Sequence, residues 1–180
     1  WQNIAYFINV SLSNFPGLLE SKEIQDSLND FIQILINWMQ DTSESDFSMI
    51  ETNDNIASLL LTIISISKLN NEEILEIALN FFPPQDLNEV QSMAKRLLEI
   101  CQENKENLSL KTLSLMAAAI VRFLTIEIKR KRKINIDDEL VQSLVVLLKD
   151  LLGNPEVENC VRSMFDDCPE KIEFINGLNE

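Results

Sequence analysis

Histidine is absent from the 180 residues, which removes any His-based triad, His-ligated zinc or imidazole general base. Glycine and proline are scarce, at three and five. That is too few for the tight turns of an all-β sandwich, whereas long helices need little such punctuation. The cysteines, Cys101, Cys160 and Cys168, are odd in number and include no CxxC pair, a usage that fits reduced thiols in a cytosolic or nuclear protein. No Gly-rich phosphate loop, GxSxG element, HExxH or EF-hand spacing occurs, so the chain reads as non-catalytic, with no cofactor and no metal site. Nothing resembles a signal peptide, and a start at Trp1 reads as a piece of a longer chain.

What is present is apolar residue in quantity, 46% of the chain, enough for a real core and unlike a disordered tail. Positive charge is outnumbered: 15 Lys and Arg face 29 Asp and Glu, and five of those basic residues form one run, Lys129 to Lys133. A surface of this sign repels nucleic-acid phosphates and anionic lipid and attracts basic partners. The plain alternative is that net negative charge serves solubility.

The apolar spacing predicts an all-α protein of about eight helices of 11 to 20 residues. In "SKEIQDSLNDFIQILINWMQ", Ile24, Leu28, Phe31, Ile32, Leu35, Ile36 and Met39 share one face. The polar stretch "DTSESDFSMIETND" reads as the longest loop, with a second helix from about Asp54 to Ser67 carrying Ile56, Leu59, Leu60, Ile63 and Ile64 inward. Asn70, three residues before Glu73, reads as a reciprocal cap for "NNEEILEIALNFF". Pro83 and Pro84 end that helix, since neither donates a backbone hydrogen bond.

The following helix has Leu87, Val90, Ala94, Leu97, Leu98 and Cys101 on one stripe. From Leu108 to Ile128 the chain is apolar around most of its circumference, which predicts a central helix with neighbours on both sides. Lys111 and Arg122 inside that segment argue against a membrane span. Later helices start near Asp137 and near Asn154, where a cap, a first-turn proline and an acid stand in order. A last short one starts at Asp167 or Cys168. The aromatics Trp1, Phe7, Phe31, Trp38, Phe81, Phe82 and Phe123 all fall in apolar helical patterns, so core packing is expected of them.

Two charged features invite a functional reading. Clusters such as Asp137, Asp138 and Glu139 serve a helix start simply by favouring its dipole. The run "KRKRK" reads either as a nuclear localisation signal or as cations closing a helix C-terminus. Helix hairpins recurring every 40 to 50 residues, with no sustained heptad, favour a stack of antiparallel pairs over a compact bundle.

The succession "IQILINWMQDTSESDFSMIETNDNIASLLLTIISISKLNNEEILEIALNFFPPQDLNEVQSMAKRLLEI" resembles the C-terminal HEAT repeats of karyopherin-β nuclear transport receptors, the importin-β superfamily, and most of all the large import receptors for ribosomal proteins and histones. The resemblance rests on Asn53, Asp54, Asn55, Ile56 and Ala57 as a helix opening. Phe82, Pro83 and Pro84 follow as a helix end, then Asp86, Leu87, Asn88 and Glu89 as the next opening. It covers roughly Leu28 to Ile100 well, extends loosely over Leu108 to Leu152, and fits an irregular C-terminal cap from about 154 to 180. The bulky "SLLLTIISIS" departs from the small residues and glycine usual at that place in the family.

The resemblance implies a single right-handed α-solenoid of HEAT-type antiparallel helix pairs over 1–180, with armadillo-like helical stacking. Inner helices would begin near Trp1, Asp54, Asp86 and Ile136. Their first-turn acids, Asp54, Asp86, Glu89, Asp137, Asp138 and Glu139, would line one rim and bind basic cargo bearing nuclear localisation signals. Such a receptor shuttles between cytoplasm and nucleus and contacts nucleoporins; it meets the Ran GTPase mostly through more N-terminal repeats and needs neither direct nucleic acid contact nor a membrane span. The alternative is a HEAT-repeat scaffold in an unrelated protein assembly; an enzyme or free-standing helical effector comes third.

Overall fold

The computed structural model describes residues 2–41, 47–67, 71–86, 88–130 and 137–178. Among them the chain is all-α. Nine helices follow in order: α1 (Gln2–Asn14), α2 (Lys22–Asp41), α3 (Phe47–Ser67), α4 (Glu72–Leu79), α5 (Val90–Asn104), α6 (Leu110–Arg130), α7 (Asp138–Leu152), α8 (Pro155–Met164) and α9 (Pro169–Gly177). Short 3-10 helices at Pro16–Glu20 and Lys105–Asn107 link α1 to α2 and α5 to α6. The chain divides into two compact units, Trp1–Arg96 and Leu97–Glu180.

The first unit is organised around α3, which packs against α1, α2 and α4. Every residue of α3 from Asp54 to Ile64 is buried, because an apolar sequence such as "IASLLLTII" offers no polar stripe to turn toward water. The expected inward set is buried, and Ala57, Ser58, Leu61 and Thr62 are buried with it. Only residues 68–71 separate α3 from α4. The two helices pack against each other.

Two local expectations are corrected here. The stretch from Phe47 to Asp54 is helix, so α3 starts seven residues before Asp54, and Asp54 sits inside it rather than at its cap. The cap of α4 is Asn71, whose side chain accepts from the Ile74 amide at 3.2 Å. On α2, Leu28, Ile32, Leu35, Ile36 and Met39 are buried as their spacing predicts, while Ile24 in the first turn is exposed. Expectations for Trp1, Asn70, Leu87, Ile136 and Lys131–Lys133 lie outside the described residues.

In the second unit α6 is the hub, packed against α7, α8 and α9. Met116, Ala117, Ala118, Ala119, Ile120 and Val121 are fully buried, as all-round apolarity predicts, and three consecutive alanines let neighbouring helices come close. Among the described residues no helix is long and apolar enough to cross a membrane. Asp137 caps α7 through the Glu139 amide at 2.9 Å, and Asn154 caps α8 through the Glu156 amide at 2.9 Å, with Pro155 in its first turn. Cys168 precedes Pro169 at the start of α9. Arg162 ties α8 to α9, donating to Glu158 Oε1 at 2.9 and 2.7 Å and to Asn176 Oδ1 at 2.9 Å.

Candidate functional site

Of the six acids expected on a shared rim, Asp54, Asp86 and Glu89 fall in the first unit and Asp137, Asp138 and Glu139 in the second. The first three come together where the turn between α4 and α5 folds onto α3. Asp54 Oδ2 accepts from the backbone amides of Gln85 at 2.7 Å and Asp86 at 2.8 Å. Asp86 Oδ1 accepts from the Asn88 amide and its Nδ2, each at 3.0 Å. This side-chain hydrogen bond shapes the turn rather than capping α5. The carbonyl of Glu89 accepts the first α5 bond, from Met93 at 2.9 Å.

Asp54 and Glu89 are each only 3% exposed. Both carboxylates therefore stand inside the unit, where a solvent-facing rim would need them outside. Glu89 belongs to a polar chain that crosses the core. Thr62 Oγ1 donates to Asn9 Oδ1 at 2.6 Å, and Asn9 Nδ2 donates to Ser58 Oγ at 2.8 Å and to Glu89 Oε2 at 3.5 Å. Ser58 also hydrogen-bonds the Glu89 carboxyl. The chain joins α1, α3 and the entry to α5, and its buried polar groups satisfy one another. Sequence reasoning missed Asn9, Ser58 and Thr62. The available signal was a polar residue on the buried face of each apolar helix, with Ser58 and Thr62 one turn apart on α3.

Burial raises the pKa of Glu89 above the ordinary glutamate range; Ser58 opposes the shift, and the charges of Asp86 and Asp54 add to it. Burial raises Asp54 too, against the pull of the Asp86 and Gln85 amides and with the charges of Asp86 and Glu51. A carboxyl that holds its proton more tightly when folded favours the folded state most below its unfolded pKa, and that contribution is lost as pH rises through the raised folded value. Glu89→Gln removes one such group. Its stability relative to the parent chain is expected to improve as pH rises from about 4 to about 8. Urea unfolding at each pH reads this out, and a constant difference would mean that Glu89 titrates as it does unfolded.

The second trio stays at the surface. Asp137, Asp138 and Glu139 are exposed in the first turn of α7, with Asp137 engaged as its cap. An open cleft of about 350 Å³ lies between the start of α3 and the turn after α4, with Asn53, Asp54, Asn80, Phe81 and Gln85 in its lining. Ile50 and Pro83 complete that lining. Among the described residues no group of Cys, Asp and Glu is placed to hold a metal ion. Burial pushes the Cys101 thiol up to about 11, with Lys105 opposing and Asp150 adding, so it forms little nucleophilic thiolate at neutral pH.

The aromatics divide. Phe82 and Phe123 are buried and Phe31, Trp38 and Phe81 half-buried, but Phe7 is 70% exposed. The inward face of α1 is taken by Ala5, Asn9 and Leu12, so the 3.6-residue period turns Phe7 outward. Comparison of the chain with family models, with curated protein sequences and with solved structures finds no match in any of the three.

Proposed function

We propose that the chain is a non-catalytic helical scaffold module that holds protein partners on its helix faces and turns over no substrate. The observation that carries this reading is the burial of Asp54 and Glu89, whose oxygens are engaged by backbone amides and by Ser58 and Asn9. Of the six acids, only Asp86, Asp137, Asp138 and Glu139 retain surface exposure. Partly exposed ion pairs contribute roughly 0 to 1 kcal/mol each, so four supply at most about 4 kcal/mol. A micromolar complex needs about 8 kcal/mol. Helices packed around one largely buried central helix within each unit support a generic helical-repeat architecture, HEAT-like in this reading, that presents surfaces to other proteins.

A second reading, the import receptor, draws support from the excess of 29 acids over 15 basic residues and from the exposed acids opening α7. Basic cargo, nucleoporins, Ran and shuttling between cytoplasm and nucleus belong to it. Titration of a Lys- and Arg-rich peptide separates the two readings. The scaffold reading expects binding weaker than about 1 mM, unchanged by charge reversal at Asp137, Asp138 and Glu139. Saturable micromolar binding that salt weakens and that reversal abolishes would favour the receptor. Release of that peptide from the complete protein by GTP-bound Ran would complete the case for it.

A further inference from the structure

The cleft beside the start of α3 contains a carboxylate that the neighbouring turn uses on one side only. Asp54 Oδ2 takes both backbone amides, those of Gln85 and Asp86, while Oδ1 makes no hydrogen bond among the described residues. Asp54 is buried yet forms part of the cleft wall, so Oδ1 is the oxygen it keeps for whatever enters. A carboxylate oxygen this deep is costly to leave without a donor. The surrounding charge has one sign: Asp86 and Glu51 act on Asp54, and both are negative. The sequence does little to answer it, since Lys68 is the only basic residue between Lys22 and Lys95.

We infer that this cleft receives an arginine side chain presented by a partner protein, with the guanidinium donating to Asp54 Oδ1. The inference rests on the scaffold reading and names what a partner sets against α3. At about 350 Å³ the cleft is at the small end of ligand sites, which run from about 300 to 1,000 Å³. That suits one long side chain.

The lining selects guanidinium over ammonium. Phe81 supplies a ring on which a planar guanidinium stacks. Asn80 and Gln85 bring amide oxygens to the same cleft, and the guanidinium fork carries donors enough to reach them as well as Oδ1. Ile50 and Pro83 give the methylene stem an apolar wall. A guanidinium is also less strongly hydrated than an ammonium, so it gives up less on entering. This differs from a rim of exposed acids, because one enclosed oxygen takes one side chain.

Heteronuclear NMR of the isotope-labelled chain tests this with acetyl-Gly-Arg-Gly-amide and its lysine and citrulline counterparts. Citrulline keeps the shape of arginine without its charge. The arginine peptide is expected to shift the Gln85 and Asp86 amides saturably, with Kd on the order of 10 mM. The lysine peptide should bind at least about threefold more weakly, and the citrulline peptide should leave those amides unmoved. Asp54→Asn, which retains an acceptor for the turn, is expected to weaken arginine binding at least about fivefold. If that variant fails to fold, Phe81→Leu replaces it, with an expected loss of about threefold. Shifts that do not saturate, equal binding of the lysine or citrulline peptide, or binding indifferent to both substitutions would overturn the proposal. Micromolar binding of the Lys- and Arg-rich peptide, abolished by charge reversal at Asp137, Asp138 and Glu139, would sink the scaffold reading without moving the Gln85 and Asp86 amides, so the two failures are distinguishable.

Discussion

Asn9→Ala is expected to destabilise the first unit by about 3 kcal/mol, read as a lower urea midpoint. Asn9 uses both ends of its amide. Its oxygen takes the Thr62 hydroxyl, and its nitrogen serves Ser58 and Glu89. Truncation leaves those groups in the interior with partners missing, at about 1 to 3 kcal/mol for each buried group left unmatched. The total stays below the sum because Ser58 keeps Glu89 and the Thr62 hydroxyl has the carbonyl one turn back within reach. Asn14→Ala is the control: that side chain is exposed and bonds only the Val10 carbonyl of its own helix, so its effect stays within about 0.5 kcal/mol. A cycle of Asn9→Ala with Thr62→Val should show coupling of about 1 kcal/mol, because removing the donor relieves the orphan that the first substitution creates.

The same network marks where reading the sequence stopped short. Periodicity located the helices and most of their buried stripes, because apolar spacing reports a one-dimensional property that packing then obeys. It located the enclosed α6 for the same reason: a helix without a polar stripe has only one place to go. Asp137 and Asn154 were legible as caps because a cap is satisfied within three residues. Asp54 read as a first-turn acid at a helix opening and lies well inside α3 instead. Its partners are the amides of Gln85 and Asp86, 31 and 32 positions away, and no local pattern encodes them. Asn9 meets Ser58 and Glu89 across 49 and 80 positions. The outward turn of Phe7 follows from a choice between two faces of α1, both apolar, which Asn9 decides by pairing with α3. The candidate rim therefore lost Asp54 and Glu89 to the interior through contacts that only the folded chain brings together.

Asp54 tests that distinction directly. Asp54→Ala is expected to cost about 2 to 3 kcal/mol, since two charge-assisted bonds at about 1.5 to 3 kcal/mol each are lost while the carboxylate's own burial penalty is relieved. Asp54→Asn keeps an acceptor and removes the charge, so it is expected to stay within about 1 kcal/mol of the parent at neutral pH. Hydrogen exchange then decides what the side chain does. If Asp54 pins the turn, the amides of Gln85 and Asp86 lose protection in the alanine variant and retain it in the asparagine variant, because those amides are its partners at 2.7 and 2.8 Å. If it opened a helix instead, the amides two and three residues on, those of Ile56 and Ala57, would lose protection in their place. These two already lie within α3, where their own helix supplies acceptors, so their exchange is expected to follow the global loss of stability and nothing more.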